Sequence, residues 1–249
     1  MTPTAHTDAT LRIPPHVTTR IERARPEQIE RIGRYTAATI HEAQGRRGAV
    51  ASNITPIDRE SSFVGSAFTV VCAPRDNLML QVAIHFAQPG DVLIVSAGAF
   101  AQAGTFGDVL GNACAAKGIA ALVTDSGVRD TRELRELGLP VFSGSVSISG
   151  TVKETLGHIN QPLVFGGQRI EPGDIVKGDA DGIVVVRRDE ADIVAELSEE
   201  RDRKEADLIA RYHAGGTTID LCGLHDVLRA KGLTTDLDDV DPEQGLGAR

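Results

Sequence analysis

The chain alternates between short apolar runs and amphipathic stretches, an order typical of a mixed α/β protein. The run Phe63 to Cys72 is rich in valine, phenylalanine and threonine and stops before Pro74, which predicts a strand. Val92 to Val95 is a shorter, fully apolar strand that follows the turn Gln88-Pro89-Gly90-Asp91. Similar runs predict four further strands, at Ile119 to Val123, Pro140 to Phe142, Ile175-Val176 and Ile183 to Val186.

Between these strands the apolar positions recur at helical spacing. The first helix should begin at Pro26, because proline suits the first helical turn, and should end near Gln44-Gly45. A long charged amphipathic helix is expected over Glu190 to Tyr212. Shorter helices are expected over Asn77 to Phe86, Asp108 to Lys117, Thr131 to Leu137 and Leu224 to Ala230. Such alternation indicates an α/β protein in which some neighbouring strands are parallel.

The hydrophobic pattern divides the chain into three segments. Residues 1–25 lack a clean period and should form an irregular N-terminal arm, a candidate for packing on a neighbouring molecule. Residues 26–214 form the α/β domain. Residues 215–249 comprise a short helical extension and an acidic tail with too few apolar residues to fold by itself.

Composition and charge exclude several classes of partner. The formal net charge of -9 provides no basic field for phosphates, so we expect no nucleic-acid partner. No apolar run approaches the roughly 20 residues that a membrane helix needs, so we expect no membrane contact. The cysteines Cys72, Cys114 and Cys222 are odd in number and lack CxxC spacing, which predicts reduced thiols and a cytoplasmic protein.

The first candidate site is the glycine-rich stretch Gly98 to Asp108, which leads directly into a predicted helix. The free N–H groups of Val109 and Leu110 would project from the positive end of that helix and suit a carboxylate. The alternative is that Asp108 is an ordinary N-cap and that the glycines only form a loop.

The second candidate is the polar cluster Asp125 to Asp130, which follows a buried strand and so lies where α/β folds place ligands. Arg129 can bind a carboxylate or oxo group bidentately, and Asp130 can ligate a hard cation. An adjacent Arg-Asp pair is also common as a solvated ion pair, but the position at a strand end favours the ligand. Glu42, Lys153 and Glu205 taken singly are ordinary surface charges.

Several familiar catalytic patterns are absent from the sequence. It has no Walker loop, no strand-linked GxGxxG with a downstream acid and no GxSxG elbow, so phosphoryl transfer, dinucleotide binding and α/β-hydrolase chemistry are not supported. The histidines form no HxxxH or HxH pair, so an ordinary zinc site is not supported either.

Six ordered motifs resemble the 4-hydroxy-4-methyl-2-oxoglutarate / 4-carboxy-4-hydroxy-2-oxoadipate aldolase family, which also includes proteins similar to a regulator of ribonuclease activity. The matching stretches are His41-Glu42-Ala43-Gln44-Gly45-Arg46, Asp76-Asn77-Leu78-Met79, Gln88-Pro89-Gly90-Asp91-Val92-Leu93, Gly107-Asp108-Val109-Leu110, Gly127-Val128-Arg129-Asp130 and Gly150-Thr151-Val152-Lys153-Glu154-Thr155. The likeness extends from about residue 20 to residue 232. The chain departs from the family in its N-terminal arm, in the tail after Leu233 and in Ser126, where a small apolar residue or glycine is common.

This resemblance implies an αββα sandwich of the swivelling β/β/α type, assembled as homotrimers or homohexamers with each active site at a subunit interface. It further implies an active site for a small 2-oxo acid, with Mg²⁺ or Mn²⁺ as the cofactor. By the same likeness, Arg129 binds the oxo and carboxylate groups, Asp130 ligates the metal and Asp108 holds water on the metal. The pyruvyl carboxylate is surrounded by Gly107, Val109 and Leu110. Glu42 and Lys153 are further polar residues of the site, and Glu205 comes from the adjacent subunit.

The chemistry that the resemblance implies is retro-aldol cleavage to pyruvate, with oxaloacetate decarboxylation as a side activity because it passes through the same enolate. We expect the base to be a water molecule oriented by Asp108 or Glu205. The alternative from another class is a non-catalytic regulator that binds a ribonuclease; the combination of Arg129, Asp130, Lys153 and Glu42 favours the enzyme.

Overall fold

The computed structural model describes residues 15–234, which form a ten-stranded mixed sheet, a two-stranded hairpin and a set of helices. Strands β1 to β12 span His16–Val17, Thr55–Pro56, Phe63–Val71, Asp91–Ser96, Gly104–Phe106, Ala121–Val128, Val141–Val146, His158–Ile159, Leu163–Phe165, Gln168–Ile170, Ile175–Asp179 and Gly182–Val186. Helices α1 to α8 span Pro26–Gly33, Ala37–Ala43, Leu78–Phe86, Asp108–Lys117, Thr131–Leu137, Ala191–His213, Thr218–Leu221 and His225–Ala230.

The centre of the large sheet is parallel, as the alternation of strands and helices predicts. Strands β3, β4, β6 and β7 are neighbours in that order and all run in the same direction. Alternate residues of these strands enter different cores: Leu93 packs on one face of β4, while Val92 packs on the other. The strands therefore appear in the sequence as continuous apolar runs, because both faces of the sheet are buried.

Three hydrophobic clusters separate four layers of structure. One lies between the parallel strands and helices α3 to α5, and includes Phe68 and Leu122. A second joins the parallel strands to β9 to β12, where Phe142 and Val176 are buried. The third lies between β11, β12 and helices α1, α2 and α6, around Ile40. The order helix, sheet, sheet, helix confirms the αββα sandwich.

The single helix predicted from Pro26 to Gln44 is wrong, because the chain forms two helices with a break between them. α1 stops at Gly33, where a side chain would collide with Val64 of β3. Thr36 is extended, and its hydroxyl accepts the N–H of Thr39 at 3.1 Å, so it caps a new helix. The predicted end near Gln44-Gly45 is correct.

Three features near the predicted site differ from the sequence-based expectation. β6 continues to Val128, so Asp125, Ser126 and Gly127 lie within a strand and not in a turn after it. The glycine-rich stretch contains the short strand β5, which pairs with β6. The hairpin of β9 and β10 was not predicted, although its turn Gly166-Gly167 is a strong hairpin pattern.

The described part of the N-terminal arm contacts its own chain. β1 pairs with β8, and Arg23 forms an ion pair of 2.7 Å with Asp91, whose side chain is fully buried. Cys72 and Cys114 are buried free thiols, and burial raises the pKa of each to about 12. The acidic tail from Asp236 onward lies outside the described residues. Between residues 15 and 234, no helix has the length and apolar character to cross a membrane.

Candidate active site

The N-terminus of α4 is an open helix end. Gly107 is the N-cap and provides no side-chain hydrogen bond, so Asp108 is the first helical residue and does not cap the helix. The N–H groups of Val109 and Leu110 have no acceptor within the helix, because the first turn of any helix lacks one. The N-cap alternative for Asp108 is thus wrong, and the helix presents free donors at its positive end.

Arg129 and Asp130 lie beside this helix end, at the junction of β6 and α5. Asp130 has a left-handed backbone with φ of 53°, and its Oδ2 accepts the N–H of Asp108 at 3.3 Å. The Nε of Arg129 is 3.4 Å from the same oxygen. Both side chains are part-exposed, at 45% for Arg129 and 34% for Asp130, so they form an ion pair that solvent and a ligand can reach.

Two glycines allow β5 and α4 to approach this pair. A Cβ at Gly107 would collide with Oδ2 of Asp130, and a Cβ at Gly104 would collide with the carbonyl oxygen of Ser147 and crowd the side chain of Arg129. Gly104 and Gly107 are therefore required by close packing, because neither has a left-handed backbone.

A cavity of about 170 Å³ opens between these elements, and it brings together residues from four separate parts of the chain. It is lined by Asn77, Gly104, Thr105, Phe106, Gly107, Val109, Leu110, Arg129, Gly150, Thr151 and Lys153. Arg129, Lys153 and the positive end of α4 make this cavity suited to an anion. Asp108 and Asp130 lie at its edge, through their contacts with Gly107 and Arg129.

The segment that carries Lys153 is held by Asp76. The Asp76 carboxylate is 1% exposed; Oδ1 accepts the N–H of Leu78 at 2.9 Å, and Oδ2 accepts those of Glu154 and Thr155 at 2.9 and 2.7 Å. Burial acts to raise the pKa of Asp76, but these donors outweigh it and hold the pKa below its ordinary value.

Asp76 should make the stability of this region depend on pH. Because its folded-state pKa is lowered, its contribution is fully present above the unfolded-state value of about 3.9 and is lost as pH falls through the folded-state pKa. We expect Asp76→Asn to unfold at lower urea concentration than the wild type at pH 7, with the two midpoints converging below about pH 4. A difference that persists unchanged at pH 3 would mean that the Asp76 charge is not its source.

Glu42 and Glu205 lie together, but they do not line the cavity. Both contact Arg201 of α6, at 3.8 Å for Glu42 and 2.8 Å for Glu205. Glu42 also binds Arg46 at 3.1 Å, and that contact holds the pKa of the Glu42 carboxyl below its usual range. Within one chain, these two predicted site residues are therefore separate from Arg129, Asp130 and Lys153.

Sequence analysis assigned no individual role to several residues that shape the cavity. Asn77 is buried and donates from Nδ2 to the carbonyl oxygen of Thr105 at 3.1 Å, which joins α3 to β5. Asp125 accepts the N–H groups of Ala97 and Ala99 at 2.7 and 3.1 Å, and so fixes the loop before Gly104. Ser126 donates to the Phe100 carbonyl at 2.9 Å. The polar pair Asp76-Asn77 directly before a predicted helix could have indicated that these side chains bind backbone groups nearby.

The donor set fits a hard cation held by few protein ligands. Among the contacts of residues 15–234, only Oδ2 of Asp130 is engaged, and Oδ1 remains for a cation. No group of three or more histidine, cysteine, aspartate or glutamate side chains in the same span is arranged to enclose a metal ion. One carboxylate, with water and substrate oxygens completing the coordination, suits Mg²⁺, which gives up its water reluctantly.

Comparisons with known proteins identify the family that the chain resembles. A model for RraA-like proteins, described as Aldolase/RraA, matches residues 36–185. A Halalkalibacterium halodurans protein named "Putative 4-hydroxy-4-methyl-2-oxoglutarate aldolase" is 34% identical over 165 residues, which cover 66% of this chain and 77% of that protein.

Two solved structures share the fold. A Streptomyces coelicolor protein, described as an unusual member of the RNase ES inhibitor RraA protein family, has a TM-score of 0.66 and 29% identity, covering 77% of this chain and 99% of its own. An uncharacterized protein from Pseudomonas syringae has a TM-score of 0.70 at 23% identity, covering 81% of this chain and 99% of its own.

Proposed function

The chain belongs to the RraA-like (Aldolase/RraA) family, and on that basis we propose that it is a divalent-metal-dependent aldolase. Its substrate is a branched 2-oxo acid, 4-carboxy-4-hydroxy-2-oxoadipate or 4-hydroxy-4-methyl-2-oxoglutarate. The products are pyruvate plus oxaloacetate from the first and two molecules of pyruvate from the second. The active unit in this proposal is a homotrimer or homohexamer.

One observation carries the proposal: Arg129, Lys153 and the free N–H groups of α4 converge on a single cavity. Substrates of this class carry two or three carboxylates next to oxo and hydroxyl groups. A guanidinium, an ammonium and a helix N-terminus are the groups that bind such anions, and they act strongly where water is partly excluded. The N–H groups of Val109 and Leu110 bind the pyruvyl carboxylate, and Arg129 donates to the 2-oxo group.

In the proposed reaction the bond between C3 and C4 breaks. A water molecule oriented by the Asp108 carboxylate, or by Glu205 of the adjacent subunit, takes the proton of the C4 hydroxyl, whose oxygen becomes the carbonyl of the departing product. The electron pair of the broken bond passes to C3, giving the enolate of pyruvate, and the water then returns the proton to C3. Arg129 stabilises the negative charge that develops on the 2-oxo oxygen.

Asp130 would hold the divalent cation, because its Oδ1 accepts no hydrogen bond from residues 15–234. When bound, Mg²⁺ or Mn²⁺ supplies the electron sink for the enolate. Loss of CO₂ from oxaloacetate yields the same enolate, so a decarboxylase side activity belongs to the proposal.

Pyruvate release should depend on added metal. We expect the protein to lose turnover after treatment with a chelator and to recover it with Mg²⁺ or Mn²⁺, measured by pyruvate formation from a panel of 4-hydroxy-2-oxo diacids and triacids. Borohydride added with pyruvate should leave the protein mass unchanged, because no lysine forms a Schiff base in this mechanism.

The matched control for the trapping experiment is Lys153→Ala, which removes the cationic side chain that lines the cavity. A borohydride adduct on the wild type that this variant lacks would establish Schiff-base chemistry and contradict the metal mechanism. Turnover that survives complete metal removal would contradict it as well.

The second candidate function is a regulator that binds a ribonuclease, and the similarity to the Streptomyces coelicolor protein favours it. The same substrate panel separates the two, because a regulator releases no pyruvate with either metal. Any metal-dependent turnover that Asp130→Ala abolishes favours the aldolase.

A further inference from the structure

The motif Asp76-Asn77 matches the family pattern, yet the proposed reaction gives Asp76 no part. Asp76 is buried and does not line the cavity. Its carboxylate accepts one N–H from the start of α3 and two from the segment beyond Lys153. A buried charge of this kind is costly unless its hydrogen bonds are complete, so its placement requires an explanation.

Residues 150–156 depend on this carboxylate for their position. None of them is buried, so apolar packing does not fix them. The hydrogen bonds that they make within the described chain all end on residues 75–77. Val152 exchanges backbone hydrogen bonds of 2.9 and 3.1 Å with Arg75 and Asn77, on the N-terminal side of Lys153. On the C-terminal side, the hydrogen bonds of Glu154 and Thr155 are to the Asp76 carboxylate.

We propose that Asp76 is a positioning residue that places the Lys153 ammonium in the cavity through the backbone of Glu154 and Thr155. The inference rests on the proposed function only in that Lys153 binds a substrate carboxylate. Loss of the Asp76 charge leaves the segment attached on one side of Lys153 and released on the other. Because catalysis is sensitive to displacements of about 1 Å, the release lowers turnover without removing any group from the cavity.

A double-mutant cycle tests this inference. We expect Lys153→Ala to lower kcat/KM about a hundredfold and Asp76→Asn about tenfold, and the double variant to be no worse than Lys153→Ala within about twofold. Such non-additivity arises only if Asp76 acts through Lys153. If the double variant loses a further tenfold or so, Asp76 has a merely structural role and the inference is wrong.

Asp174 offers a matched control. It is also a buried aspartate that accepts two backbone N–H groups, from Glu171 at 3.0 Å and Arg188 at 3.1 Å, but these segments carry no candidate site residue. Asp174→Asn should leave kcat and KM unchanged. A tenfold loss of kcat/KM in this variant would show that any buried aspartate produces the effect, and would overturn the assignment to Asp76.

Two readouts do not require turnover. Hydrogen exchange should accelerate in the peptide covering residues 150–156 of Asp76→Asn and remain unchanged in peptides from β11 and β12. Oxalate, a dianion that resembles the pyruvate enolate, should bind more weakly to Asp76→Asn and to Lys153→Ala in the presence of Mg²⁺, again without additivity.

If the wild type releases no pyruvate but these two results hold, the proposed function fails and the positioning role stands. If pyruvate is released but exchange and oxalate binding are unaltered in Asp76→Asn, the positioning role fails.

Discussion

Replacement of Asp130 by alanine should lower metal-dependent turnover about a thousandfold or more, because it removes the carboxylate proposed to hold the cation that stabilises the enolate. Asp130 has a left-handed backbone, which alanine adopts less readily than aspartate, so Asp130→Ala also adds strain to the folded state. Asp130→Asn avoids this complication because asparagine tolerates the same conformation. Its neutral oxygen is a weaker ligand for a hard cation, and we expect turnover about a hundredfold below the wild type.

Arg129→Lys tests the neighbouring group. Lysine keeps the charge but cannot reproduce two parallel N–H contacts, so kcat/KM should fall about a hundredfold.

Asp189→Ala is the control for both variants, since Asp189 forms an exposed ion pair with Arg187 at 2.8 Å and lines no part of the cavity. That variant should retain wild-type turnover. Near-normal turnover in Asp130→Ala, or a comparable loss in Asp189→Ala, would contradict the assignment of Asp130.

The sequence alone predicted the ends of α4 and α5 correctly, because residues at those ends mark them. α4 and α5 begin and end where predicted, because Gly118 and Gly138 adopt the left-handed conformation that terminates a helix. The break between α1 and α2 also has a local mark, the N-cap Thr36, but the apolar spacing from Ile29 to Ile40 continues across it and predicted a single helix.

Polar residues within a strand explain why β6 was predicted too short. Asp125 and Ser126 resemble a turn, yet they continue β6 because their side chains form hydrogen bonds with the loop before Gly104. The spacing of Arg129 and Lys153 in the sequence did not predict that both line one cavity, because the position of Lys153 depends on the hydrogen bonds of Asp76. Single motifs could be identified from the sequence, whereas their distances depend on long-range contacts.

The position of Glu205 suggests a contact between subunits. After Ser198 no residue of α6 is buried, and the exposed apolar residues Ile209, Leu224, Val227 and Leu233 lie on the rest of α6 and on the segment that follows it. A helix half that is unpacked and apolar in places is typical of a surface that another chain covers. Glu205 lies on this half, apart from the cavity of its own chain.

Mixing two inactive variants should therefore restore activity. Glu205→Ala and Asp130→Ala chains, combined in equal amounts under conditions of subunit exchange, should recover about one quarter of the wild-type turnover. The fraction follows because a site is complete only when one chain supplies Asp130 and its neighbour supplies Glu205, and each is intact in half of the chains. The measurement is metal-dependent pyruvate release before and after exchange.

The control mixture combines Arg129→Ala with Asp130→Ala. These residues belong to the same chain at every site, 3.4 Å apart, so no arrangement of subunits brings intact copies together and activity should stay at background. If the Glu205 mixture also stays at background although mixed oligomers have formed, Glu205 does not complete a neighbour's site. A wild-type protein that is monomeric and fully active would contradict both the shared site and the role of Glu205. It would leave the proposed roles of Arg129 and Asp130 unchanged, because Arg129 lines the cavity and Asp130 lies at its edge within one chain.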